Sequence, residues 1–239
     1  MILWLLLFFL VIAISFVMAY RSMRDFQFIP QKTGLEYGLF LIRNPNAITA
    51  EFLIDLSNKI LQKNLSLSFE RLFKGPQSAL VVFGPKEQLM AISSHLNLLE
   101  LEDYSLKIDE NQISAWELGL KDLSQKEFLL ENPFAILAEL QTSEQFWWQV
   151  SLKLDSSKEN LDKNKFLTQI RCVFSSADDR RRSELTSKLV GIGAPALVKV
   201  PKPFTSEKIL EFYRKRILSM EKINPSLSAK EVLKVVALS

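Results

Sequence analysis

Hydrophobic and polar positions divide this chain into an apolar start and a long, finely patterned remainder. Residues 1–20 read MILWLLLFFLVIAISFVMAY, and every one except Ser15 is apolar or aromatic. At about 1.5 Å per residue, a helix of that length matches the roughly 30 Å hydrocarbon core of a bilayer. The pattern therefore predicts a transmembrane helix over 1–20, with Trp4 and Tyr20 near the two interfaces. A cleavable signal peptide is the competing reading. It is disfavoured because no basic residue precedes the run and the run exceeds a usual signal core. Arg21 and Arg24 follow the run. The positive-inside rule then assigns a single-pass protein of the cell membrane with a cytoplasmic body.

Beyond Tyr20 the pattern shortens. Residues 21–34 are polar and contain Pro30 and Gly34, as a juxtamembrane linker would. Residues 35–43 form a strand-like run that Asn44-Pro45-Asn46 stops. Phe52, Leu53, Leu56 and Ile60 then recur at helical spacing over 49–62. Strands are expected over 65–73 and 79–83, a helix over 86–98, and a last strand over 104–108, where Tyr104, Leu106 and Ile108 alternate. This β-α-β-β-α-β order over 35–110 is the ferredoxin-like arrangement.

A second module is expected over 111–204. Its strands are read over 113–120, 145–154, 166–174 and 196–200, with one helix opened by Asn132-Pro133 and another over 178–190. Helices over 206–220 and 228–237 make a C-terminal tail over 205–239. The expected fold class is thus α+β: an N-terminal transmembrane helix followed by two small α/β sandwich modules, the first ferredoxin-like, with a hint of internal duplication.

Composition narrows the chemistry. One cysteine, Cys172, excludes an intramolecular disulfide, and one histidine with one cysteine cannot make a zinc site of the usual ligand spacing. His95 stands alone on an expected helix and reads as structural or solvent-facing. Glu102-Asp103 and Asp178-Asp179 are neighbours in sequence; adjacent positions on a strand face opposite ways, so they make poor catalytic pairs. No G-x-x-x-x-G-K-[ST] occurs. Gly191-Ile192-Gly193 follows a helix and meets Pro195, so it reads as a helix stop. No catalytic group, cofactor or metal is implied, and the expectation is a non-enzymatic protein.

Three features could carry binding. Trp147 and Trp148 must face opposite sides of one strand. Trp148 shares its face with Phe146 and Val150 and reads as core. Trp147 lies between Gln145 and Gln149 and reads as partly exposed, a candidate interface anchor. Arg180-Arg181-Arg182 opens a helix behind two aspartates, and Arg214-Lys215-Arg216 lies on a helix whose Phe212, Tyr213 and Ile217 face inward. Residues 1–110 hold 10 Lys/Arg against 11 Asp/Glu, and residues 111–239 hold 20 against 16. The second half is therefore mildly basic, at +4, and would carry any binding of nucleic acid or anionic lipid.

Several phrases resemble a known family, the membrane-anchored N-terminal region of conjugative, type IV secretion-like ATPases of candidate-phylum bacteria. Ser143 to Lys153 (SEQFWWQVSLK) is similar to that family's E-Q-x-W-x-Q strand, and Asn132-Pro133-Phe134 through Leu140 to the short helix before it. Phe166 to Ser175 resembles the partner strand, Phe204 to Arg216 the segment before the last helix, and Ser226 to Leu233 that helix. Ser68-Phe69-Glu70 is similar to a strand of its first module. The resemblance implies an interaction or scaffold module of a type IV secretion or conjugative DNA-transfer apparatus. Its partners would be a membrane and a protein, either a separate P-loop motor or another secretion component; with no ATPase domain in this sequence, the resemblance implies a stand-alone paralogue of that region or one part of a split ATPase.

Overall fold

The computed structural model describes residues 2–26, 34–59, 65–120, 135–155, 165–191, 197–200, 204–218 and 226–237. In chain order its elements are α1 (Ile2–Phe26), β1 (Tyr37–Ile42), α2 (Ala50–Lys59), β2 (Leu67–Lys74), β3 (Gln77–Pro85), α3 (Lys86–Ala91), α4 (Ser93–Leu96) and β4 (Leu98–Leu101). Then follow β5 (Ile113–Leu120), β6 (Gln145–Leu154), β7 (Phe166–Ser175), α5 (Asp179–Leu189), β8 (Leu197–Lys199), α6 (Ser206–Lys215) and α7 (Ala229–Ala237), with short 3-10 turns between.

Two expectations need correction. First, no helix among the described residues is long and apolar enough to cross a membrane. α1 does not stop at Tyr20; it runs on through Arg21, Arg24 and Asp25 to Phe26. The transmembrane helix, the single-pass placement in the cell membrane and the cytoplasmic body inferred from its flanks are withdrawn. Second, the body is not two separate sandwiches. All eight strands belong to one sheet, in the order β4-β1-β3-β2-β6-β7-β5-β8, and every neighbouring pair is antiparallel.

The two halves join at β2 and β6, which pair from Leu67↔Leu152 to Lys74↔Gln145. Moving outward from that junction, each half meets its own second, third, first and fourth strand. Antiparallel pairing of equivalent strands relates the halves by an approximate two-fold axis normal to the sheet. Such an axis keeps the crossover helices of both halves on one face. α2, α3, α4 and α5, joined by the C-terminal α7, contribute to a single core there, with Leu53, Leu89, Leu96, Leu185 and Val232 set against Phe40, Phe69, Trp148 and Phe174. The opposite face carries a smaller apolar cluster, in which Ile209, Leu210 and Tyr213 of α6 meet Ile113, Ala115, Trp147 and Val173.

Local sequence explains the starts and stops. Ser228 and Glu231 form a capping box at α7: the Ser228 backbone N–H donates to Glu231 Oε2 (2.7 Å) and the Glu231 N–H to Ser228 Oγ (3.4 Å). Asp178 caps α5 by accepting from the Arg181 N–H at 3.0 Å. The strand expected over 104–108 is a 3-10 turn, Tyr104–Lys107, because the Asp103 carboxylate accepts from the Ser105 backbone (2.9 Å) and bends the chain. The edge strand β4 lies upstream, at Leu98–Leu101, where apolar residues do not alternate. Gly75 turns β2 into β3 at φ +53°, and a Cβ there would stand 3.0 Å from the Thr142 Cα. The helix expected from Asn132-Pro133 is a 3-10 turn over Ala135–Glu139, and Asn132 to Phe134 lie outside the described residues.

Trp148 is fully buried, and its Nε1–H donates to the Val235 carbonyl of α7 at 3.2 Å. Trp148→Ala removes a large core side chain and should lower unfolding free energy by about 3–5 kcal/mol. Urea unfolding followed by circular dichroism measures this; a loss below about 1 kcal/mol would mean that α7 and the sheet do not share one core.

Candidate functional site

The second sheet face holds a row of polar residues where apolar ones would be expected. Ser68 and Glu70 alternate with Leu67 and Phe69 on β2; Gln149 and Ser151 alternate with Val150 and Leu152 on β6; Gln169 and Arg171 flank Ile170 on β7. Register places three of these and Glu117 of β5 side by side: Glu70 opposite Gln149, Gln149 opposite Arg171, and Arg171 opposite Glu117. Glu70, Gln149 and Arg171 are all 0 % exposed.

Each is satisfied by its neighbours. Arg171 Nε donates to Glu117 Oε1 at 2.8 Å, its Nη2 to Gln169 Oε1 at 2.6 Å and its Nη1 to Gln149 Oε1 at 3.3 Å. Gln149 Nε2 donates to Glu70 Oε1 and to the Tyr213 carbonyl, both at 2.9 Å. Glu70 also accepts from Ser68 Oγ (2.8 Å), Tyr104 Oη (2.6 Å) and twice from Arg216, through Nε (3.0 Å) and Nη2 (3.3 Å). Among the described residues, one carboxylate thus gathers five hydrogen bonds from four side chains.

Arg216 closes the row from above. α6 begins at Thr205, whose Oγ1 accepts from the Lys208 N–H (3.4 Å), and ends at Arg216 in the left-handed region, φ +51°. That backbone conformation favours glycine, so something must hold an arginine there. The guanidinium is 2 % exposed, pairs with Glu70 and with Asp103, and lies 4.8 Å from the Phe83 ring centroid. Burial opposes its charge, but Glu70 and Asp103 outweigh that and hold its pKa above the ordinary arginine value. Burial likewise works against the Asp103 charge, yet Arg216 and Ser105 keep the carboxyl below its usual range. Tyr104 and Tyr213 share a hydrogen bond at 2.6 Å, and burial beside Glu70 pushes both phenols well up.

The structure disperses the binding candidates read from sequence. Trp147 is not partly exposed; it is buried between Tyr104 and Tyr213, with ring centroids at 4.9 and 5.6 Å. The α6 helix covers the face that Gln145 and Gln149 had suggested was wet. Gln145 is half-buried and accepts from Trp147 Nε1 at 3.3 Å, while Gln149 lies inside the row. Arg181 pairs with buried Glu144 at 2.8 Å and Arg182 with Asp179 at 2.5 Å, leaving Arg180 exposed. Arg214 pairs with Glu110, and Lys215 with Glu211 at 2.5 Å. These last four residues line a shallow groove of about 490 Å³ along α6 with Thr205, Glu207 and Lys208. Arg216, expected outward with its neighbours, faces in.

Among the described residues there is no group of three side chains suited to a metal ion. The Cys172 thiol is enclosed, and burial pushes its pKa well up. A scan against protein-family models finds no match, and a search of curated proteins finds none either.

The row's energetics can be tested directly. Removing one partner of a buried ion pair strands the other and typically costs about 3–5 kcal/mol. Arg216→Met and Glu70→Leu should each fall in that range. The double variant should lose at least about 1.5 kcal/mol less than the sum, as contacting residues in one network do. Urea denaturation of the four proteins gives the coupling, and additivity within about 0.5 kcal/mol would remove the pair from the account.

Proposed function

We propose that this chain is a non-enzymatic interaction or scaffold module of a type IV secretion or conjugative DNA-transfer-like apparatus, working with a P-loop motor on a separate chain. The observation that carries this reading concerns the phrase with the strongest family resemblance, Ser143 to Lys153. Its distinctive polar residues are framework pieces. Glu144 is 1 % exposed; it accepts from Arg181 and from the Gln141 N–H (2.8 Å) and so ties α5 to the start of β6. Gln149 bridges the two halves of the sheet through Glu70 and Arg171. A resemblance concentrated on residues that hold a scaffold together supports a shared scaffold role and lends nothing to a shared reaction.

The alternative, a binder of nucleic acid or anionic lipid through the basic second half, has less behind it. Phosphate binding needs cations free to release counterions, and Arg181, Arg182, Arg214, Lys215 and Arg216 are each engaged with carboxylates. The purified chain should show saturable association with a P-loop motor domain by biolayer interferometry. It should bind duplex DNA no more tightly than about 10⁻⁵ M at physiological salt. Tighter, steeply salt-dependent DNA binding that Arg180→Ser with Lys215→Ser abolishes would overturn the scaffold reading in favour of the alternative.

A further inference from the structure

At the β1 end of the sheet, two strands along from β2 and the start of the charged row, a second polar surface has a different character. It is an open depression of about 660 Å³, lined by Arg43, Asn44, Ser94, His95, Asn97 and Leu98. None of the lining residues is a carboxylate. Arg43 is exposed, and among the described residues its guanidinium has no hydrogen-bond or ion-pair partner. Along the groove on α6, by contrast, Lys208, Lys215 and Arg214 are each matched by an acid.

The walls of this notch are held in place by the backbone. The Arg43 N–H donates to the Asn97 carbonyl (3.3 Å) and the Asn44 N–H to the Leu96 carbonyl (3.1 Å), while Asn44 Nδ2 donates to the His95 carbonyl (3.3 Å). These bonds fasten the end of β1 to the turn between α4 and β4. Asn97 sits in that turn at φ +50°, a conformation uncommon for a residue with a side chain. The result is one guanidinium, one imidazole, one hydroxyl and two amides around a shared opening, and among the described residues none of them donates to an acid. A planar guanidinium fork matches two oxygens of a tetrahedral oxyanion, and a charge-assisted bond of this kind is about twice as strong as a neutral one.

We propose that the Arg43–His95–Asn97 notch is a binding site for a small phosphate-type oxyanion, free or as a monoester. Arg43 supplies the charge and the fork; Ser94, His95 and Asn97 supply the remaining hydrogen bonds. The site is independent of the buried row and of the scaffold reading.

The test is a titration of the full chain with inorganic phosphate and, separately, with glycerol phosphate, at constant ionic strength set by chloride and followed by two-dimensional amide NMR. Both probes should give saturable shifts centred on residues 43–44 and 94–98, with Kd in the low-millimolar range suited to one exposed arginine. A lower Kd for glycerol phosphate would identify an organic monoester as the source, and equal values the free ion. Arg43→Gln should weaken binding at least tenfold while leaving the spectrum otherwise intact; Arg180→Gln, an exposed arginine elsewhere, should leave binding unchanged. Shifts that fail to saturate, that spread over the basic surface, or that survive Arg43→Gln would overturn the proposal.

Discussion

The Glu70 carboxylate has no contact with solvent, and the architecture around it answers that fact. An isolated buried carboxylate would be costly. Here a serine on its own strand, a glutamine on the next strand, a tyrosine from the turn after β4 and an arginine at the end of α6 all donate to it. These donors come from four separate stretches of the chain, so the carboxylate can be satisfied only when all of them have assembled. A buried ion pair need not add net stability over a well-packed apolar core. What it adds here is correlation: the first half, the second half and α6 must reach their native positions together, or charges are left stranded.

That correlation meets a need set by the topology. Two repeats joined edge to edge about an axis normal to the sheet place all their crossover helices on one face. The other face must be covered by something outside the repeat. α6 does this, following both repeats in sequence and laying Ile209, Leu210 and Tyr213 over Trp147 and Val173. Its apolar contact is modest beside the main core, and Arg216 fixes how it ends. The left-handed Arg216 turn, unfavourable for an arginine by itself, is sustained by the ion pairs to Glu70 and Asp103.

Much of the strand pattern was legible in the residues, because β2, β3, β5, β6 and β7 are alternating or apolar runs bounded by turns. The single sheet was not. Nothing local says that the edges of β2 and β6 pair, since that contact joins residues about 80 positions apart. The row was partly legible too: Ser68 and Glu70, and Gln149 and Ser151, are polar at every second position within apolar strands. Alternation of this kind normally marks a wet face, and Trp147 was read as partly exposed for that reason. The signal against it was Arg171, the one charged residue of β7, which needs a partner wherever its face lies. Arg216 could not be anticipated, because no glycine or proline announces the end of α6. The apolar start is the other expectation that failed: twenty uncharged residues suggest a membrane span, but no helix among the described residues is long and apolar enough to cross a membrane.

A body tied together through one buried row should open as one unit. Native-state hydrogen exchange tests that unity most directly. Amides of β1 and β3 in the first half and of β5 and β7 in the second should exchange through one common opening, with the same free energy and the same denaturant dependence. Opening of β1 and β3 at a lower free energy, with β5 and β7 still protected, would contradict it and show two halves that merely touch along β2 and β6.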